Sequence, residues 1–96
     1  MNLLNKTGFY STLRLLSSIP ERGKITLKLF YVKFREDSYY NAFFRVKRAL
    51  LDAKLIKITG RGLGRKICIT LRGERVWSLM ELVFKAIEGE VFYIER

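Results

Sequence analysis

Asn41, Arg45 and Arg48 stand four and three residues apart, a spacing that puts side chains on one face of a helix. Arginine can pair bidentately with a guanine edge and asparagine with an adenine edge. Tyr40, Phe44 and Lys47 fall on or beside the same face, where the two rings could touch thymine methyl groups or the sugar-phosphate chain. An ordinary solvated basic face is the plainer reading of Arg45, Lys47 and Arg48. Aromatic rings fit such a face poorly unless they belong to the core. A second group follows, in which Arg61, Arg65 and Lys66 are interleaved with Gly60, Gly62 and Gly64. Glycine lets a backbone approach a phosphate or enter a narrow groove, where arginine is favoured electrostatically. The competing reading is a turn kept soluble by its arginines. The three glycines do not form a dinucleotide fingerprint, because β-patterned sequence follows them and not a helix.

Catalytic chemistry finds little to work with. There is no histidine, and Cys68 is the single cysteine. This removes a histidine general base, Cys–His and Ser–His pairs, intrachain disulfides and nearly every zinc pattern. The acidic residues are scattered, and none is brought by periodicity to a nucleophile. No enzyme, metal site, cofactor or small-molecule ligand is expected. Cys68 reads as a small packed side chain in a reducing, cytoplasmic setting. Lys6 and Arg14 interrupt the apolar N-terminal stretch, so a secretory signal is not expected, and no apolar run reaches membrane-spanning length.

Charge points to a polyanionic partner. The 96 residues include 19 Lys and Arg against 9 Asp and Glu, a net charge of +10, with 49% hydrophobic residues. This is the composition of one folded domain carrying a costly excess of like charge. Residues 1–72 hold 16 basic and 4 acidic side chains, whereas 73–96 hold 3 and 5. The basic surface therefore belongs to the first three quarters. Glutamine is absent and asparagine is limited to Asn2, Asn5 and Asn41, which is compatible with a hot habitat.

The elements that must position these groups can be read in order. Phe9, Leu13 and Leu16 recur at helical spacing over 8–18, bounded by Pro20 and Gly23. Residues 24–34 satisfy both periods: Ile25, Leu27, Leu29 and Tyr31 alternate, while Leu27, Phe30, Tyr31 and Phe34 form a helical stripe. We favour a short strand at 24–25 and then a helix capped by Thr26. Residues 35–38 read as a turn, with Ser38 as N-cap of a helix over about 39–53. Its core stripe is Phe43, Val46, Leu50 and Ala53. Two alternating runs, Ile56 and Ile58 and then Ile67, Ile69 and Leu71, flank the glycine-rich loop and read as a β-hairpin. A long apolar helix follows from about 74 to 89, extending toward Ile94. In it Trp77, Met80, Phe84, Ile87, Val91 and Ile94 form a heptad-like seam.

The segment 38–73 resembles the winged helix-turn-helix family of transcriptional regulators. Leu50-Leu51-Asp52-Ala53-Lys54-Leu55-Ile56 is similar to that family's Leu-x-x-Ala-Gly-Leu-Ile pattern at the end of its third helix. Ile69-Thr70-Leu71-Arg72-Gly73 is similar to the Leu-Thr-x-x-Gly signature that precedes its last helix. Lys54 departs from the pattern where glycine is usual, so the helix is expected to end without the easy left-handed residue. Size and composition are similar to regulators of thermophilic archaea and their viruses. The resemblance implies an α+β winged helix-turn-helix fold: a three-helix core, a β-hairpin wing and a long C-terminal helix. It places the DNA-binding domain at 1–72 and a C-terminal helix at 73–96. That helix has more apolar positions than one face holds, so part is expected to pack on the same domain and the rest to pair with a second copy, the alternative being a core helix alone.

The function so implied is sequence-specific binding of double-stranded DNA by a homodimer. The helix at about 39–53 would lie in the major groove and the wing at 60–66 on the minor groove or phosphates. The candidate DNA-binding residues are Ser38, Tyr40, Asn41, Phe44, Arg45, Lys47, Arg48, Arg61, Arg65 and Lys66. The candidate dimer residues are Trp77, Met80, Phe84, Ile87, Val91 and Ile94. Two other functions fit the same sequence: a structural DNA- or RNA-binding protein without sequence choice, and a protein-interaction adaptor.

Overall fold

The computed structural model describes residues 6–38 and 40–88. Its elements run α1 (Thr7–Ser17), a short 3-10 turn (Pro20–Arg22), β1 (Ile25–Thr26), α2 (Leu27–Asp37), α3 (Tyr40–Asp52), β2 (Ile56–Thr59), a 3-10 turn (Gly62–Gly64), β3 (Lys66–Ile69) and α4 (Leu71–Glu88). The fold is α+β, with four helices and a three-stranded antiparallel sheet among the described residues. No described helix is long and apolar enough to cross a membrane.

The ambiguous stretch resolves into both of its readings in succession. Ile25 and Thr26 pair with Ile67 and Lys66 as the edge strand β1. The Thr26 hydroxyl then accepts the Leu29 N–H at 3.1 Å, which caps α2 and turns the chain from strand to helix. From there Leu27, Phe30 and Phe34 are buried. Strand β3 lies between β1 and β2. The register Ile25–Ile67–Ile58 and Ile56–Ile69 puts five isoleucines on one face of the sheet. Phe9, Leu13 and Leu16 of α1, and Phe43, Val46 and Leu50 of α3, join the same core. Helices α1 and α3 cross where Gly8 meets Ala42: a Cβ at residue 8 would stand 2.1 Å from the Ala42 carbonyl oxygen.

The end of α3 corrects the expectation at Lys54. Lys54 itself takes the left-handed conformation, with φ of +63°. The Leu55 N–H bonds to Leu50 O and the Lys54 N–H to Leu51 O, each at 3.0 Å, which is the Schellman pattern. Leu50 and Leu55, its apolar pair, are both buried. A lysine in this conformation costs about 1 kcal/mol relative to glycine. Lys54→Gly is therefore expected to raise stability by about 1 kcal/mol in denaturant unfolding. A lower midpoint would contradict this account of the corner.

The last helix also starts earlier than expected, at Leu71 and not near residue 74. Thr70 is the reason. Its hydroxyl accepts the Gly73 N–H at 3.0 Å and donates to the Lys54 carbonyl at 2.6 Å. It thus caps α4 and ties the cap to the α3 corner. The expected boundary between residues 72 and 73 falls inside the first turn of this helix. Gly73 is buried in that turn, so close to the α3–β2 corner that a Cβ would lie 2.1 Å from Leu55 O.

Candidate nucleic-acid interface

Helix α3 is sharply two-sided. Phe43, Val46 and Leu50 are completely buried, and Ala42 nearly so. Asn41, Phe44, Arg45 and Arg48 are exposed, and Lys47 is half-buried. Asn41, Arg45 and Arg48 therefore share an outward face, held by a stripe that cannot turn away without exposing the core. Tyr40 begins the helix, but its side chain lies outside the described residues.

Phe44 serves both sides of the helix. Its ring packs on Tyr31 at 5.5 Å and on Phe43 at 5.6 Å, yet the residue remains 42% exposed. The Lys47 ammonium stands 6.0 Å over the ring, within cation–π reach. The aromatic is thus anchored by α2 and still offers an apolar edge outward. Arg48 pairs with Asp52 at 3.5 Å, but both side chains are well exposed. Such a pair contributes little, so Arg48 can exchange its carboxylate for another acceptor at small cost.

Arg45 shares a shallow hollow with Lys6, Thr7, Gly8 and Ala42 at the start of α1. Lys6 was not among the expected contact residues. It is exposed and preceded by no motif, and only the close Gly8–Ala42 crossing brings it beside Arg45.

Ser38 departs from expectation. It closes α2, its N–H donating to Phe34 O, and its hydroxyl donates to Ser11 Oγ at 2.7 Å in a part-buried position. Its polar atoms are thus spent between α1 and α2. It lines a separate hollow of about 190 Å³ with Ser11, Arg14 and Lys33. We place it outside the contact face.

The hairpin presents Arg61, Arg65 and Lys66 as exposed side chains. Gly60 and Gly62 take φ of +90° and +56°, values that favour glycine. Pairing places Lys66, Thr59 and Thr26 on the sheet face opposite the isoleucines, together with Lys57 and Cys68. Lys57 is exposed and extends the basic strip along the hairpin. The alternation Ile56-Lys57-Ile58-Thr59 carries that signal in the sequence. Cys68 is buried, which fits a packed side chain. Among the described residues no group of three or more His, Cys, Asp or Glu could hold a metal ion.

The seam expected along α4 divides. Trp77 and Phe84 pack their rings on Tyr10 of α1 at 5.3 and 5.0 Å, and Trp77 and Met80 lie against the core. These three residues hold the helix to its own domain. Val91 and Ile94 lie outside the described residues. Among the described seam residues only Ile87, 76% exposed, faces outward, and its companions there are Leu71, Leu79, Leu82 and Val83. The helix thus has an inner apolar face that continues through Val76 and Val83 into an outer one, where Arg75 lies among the leucines, and a polar stripe of Glu74, Ser78, Glu81, Lys85 and Glu88 along the remaining side.

Comparison of the chain with protein-family models, with curated proteins and with solved structures finds no match.

Proposed function

We propose that the chain is a winged helix-turn-helix protein that binds double-stranded DNA with sequence preference and acts as a transcriptional regulator. The observation that carries the reading is the division of α3. A fully buried stripe fixes the helix, and its other side offers Asn41, Phe44, Arg45 and Arg48 in its first two turns and just beyond. A helix of this kind fits the major groove, with its early residues at the base edges. The basic hairpin 57–66 is the wing, which grips phosphates or the minor groove. Lys6 adds a phosphate contact beside Arg45. The role is binding and not catalysis.

Competition titration separates this reading from coating without sequence choice. A preferred duplex should stay bound against excess random duplex. If six or more phosphates are neutralised, affinity should fall by about a thousandfold or more between 50 and 200 mM salt. Equal displacement by any duplex would assign the protein to structural coating. Absence of duplex binding at low salt would leave an RNA-binding protein or the adaptor.

The outer face of α4 supports a homodimer, which would present two α3 helices to half-sites about one helical turn apart. Five large apolar side chains exposed on one side of a helix, with Arg75 among them, are more than a monomer ordinarily leaves in water. Leu82→Glu and Ile87→Glu should each give a folded chain with half the sedimentation mass. Phe84→Glu should instead destabilise the fold, because that ring packs on Tyr10. An unchanged mass for both outer-face variants would remove this face as the dimer seam.

A further inference from the structure

Leu63 at the hairpin tip is 100% exposed. The tip is braced: the Gly64 N–H bonds to Arg61 O at 3.1 Å, and the Arg65 N–H to Gly62 O at 3.3 Å. The Leu27 N–H at the start of α2 bonds to Arg65 O at 3.0 Å and fixes the loop at its base. A Cβ built on Gly62 or Gly64 would meet nothing within 4 Å. One branched apolar side chain therefore stands between two stretches of bare backbone, with exposed Arg61 and Arg65 directly behind it.

We infer that Leu63 is a wedge that enters the DNA minor groove and partly unstacks a base step. The inference rests on the DNA-binding reading above and adds a mode of contact to it. Shape favours it, since Leu63 stands on a single 3-10 turn, Gly62–Gly64, beyond the last strand pair Thr59–Lys66, with no side chain on either flank. The glycines on either side keep the tip as narrow as backbone. Charge favours it, because Arg61 and Arg65 flank the leucine where the groove's two phosphate walls would lie, and the groove's negative potential draws arginine in. Chemistry favours it too. An isobutyl group gains nothing from phosphate, but it fills the gap of an opened base step as apolar wedges do. A turn built only for closure or solubility has no use for a leucine at its summit. Flexible pyrimidine–purine steps are the natural target, because they unstack at least cost.

The test uses the full chain, a duplex carrying 2-aminopurine at a central TA step, and a second copy with fluorophores at both ends. Wild-type protein should raise the 2-aminopurine emission and shorten the end-to-end distance on binding. Leu63→Ser should bind within about fivefold of wild type yet lose most of both signals, while Leu63→Met should keep them. The position is fully exposed, so the variants should fold as wild type does. Binding by wild type with neither signal, or signals unchanged in Leu63→Ser, overturns the wedge and leaves DNA binding standing. No wild-type binding to duplex at low salt overturns both. Leu63-dependent binding to phosphatidylserine vesicles, without unstacking of the duplex, would reassign the tip to a membrane surface.

Discussion

Arg45→Ala is expected to lower affinity for the preferred duplex by about ten- to a hundredfold, the effect of one lost bidentate base contact worth 1–3 kcal/mol. The loss should be uneven. Binding to random duplex should fall far less, so the ratio between preferred and random sequence should shrink. Arg45 is the residue of choice because it is exposed on the early part of α3, on the far side from the buried Phe43 and Leu50. It also sits beside Lys6 and the start of α1, which would hold the neighbouring phosphate. Arg61→Ala offers the contrast. It should weaken all duplexes alike and reduce the salt slope by about one, as expected of an arginine that contacts phosphate and not base. Stability should change by less than about 0.5 kcal/mol in either variant, since both side chains are exposed. Parallel titrations on preferred and random duplex read this directly. Equal losses in Arg45→Ala would mean that α3 does not read bases.

The second large effect concerns the joint that holds α4 to the rest. Gly73→Val should cost about 2–4 kcal/mol, or roughly 10–25 °C in melting temperature for a domain of this size. A Cβ at this position would lie 2.1 Å from Leu55 O and 2.6 Å from Ile69 Cγ1. The first is backbone in the Schellman corner and the second is a buried side chain in β3, so neither can move cheaply. The Thr70 cap shares the same corner through its bond to Lys54 O, and so does Arg72, whose guanidinium donates to Ala53 O at 3.3 Å. Displacing Gly73 therefore strains the end of α3, the start of β2 and the start of α4 together. Gly64→Ala is the control. Nothing lies within 4 Å of its would-be Cβ and its φ is not positive, so its melting temperature should match wild type. A Gly73→Val protein that melts with wild type would show that the corner is not packed as described.

The fold was most legible where a single period governs a whole element. Phe43, Val46 and Leu50 mark α3, and the alternating isoleucines mark β2 and β3, because burial on one side leaves a repeat in the sequence. Legibility failed where one residue ends one pattern and begins another. Leu71 continues the alternation of Ile67 and Ile69, yet Thr70 has already turned the chain into α4. Residues 25–31 fit both periods because the chain is strand and then helix, and only the Thr26 cap marks the change.

The candidate site shows the same division. Asn41, Arg45 and Arg48 could be found because they oppose a core stripe. The outer face of α4 differs from the heptad seam in its membership, because a heptad count finds apolar residues without saying what covers them. Trp77 and Phe84 are covered by Tyr10, a residue remote in sequence. Lys6 became relevant only through the Gly8–Ala42 crossing, which no local pattern announces. Leu63 belongs to no repeating face and so carries no periodic signal.

The central claim is that α3 reads bases and the wing grips the backbone beside them. Selection of bound sequences from a random duplex pool tests it most directly. The account predicts enrichment of a short motif within a few rounds. The motif should appear as two symmetric half-sites about one helical turn apart, and Arg45→Ala should lose one preferred base position. A bound pool that keeps the composition of the input, at a salt concentration where the protein still binds, would contradict it.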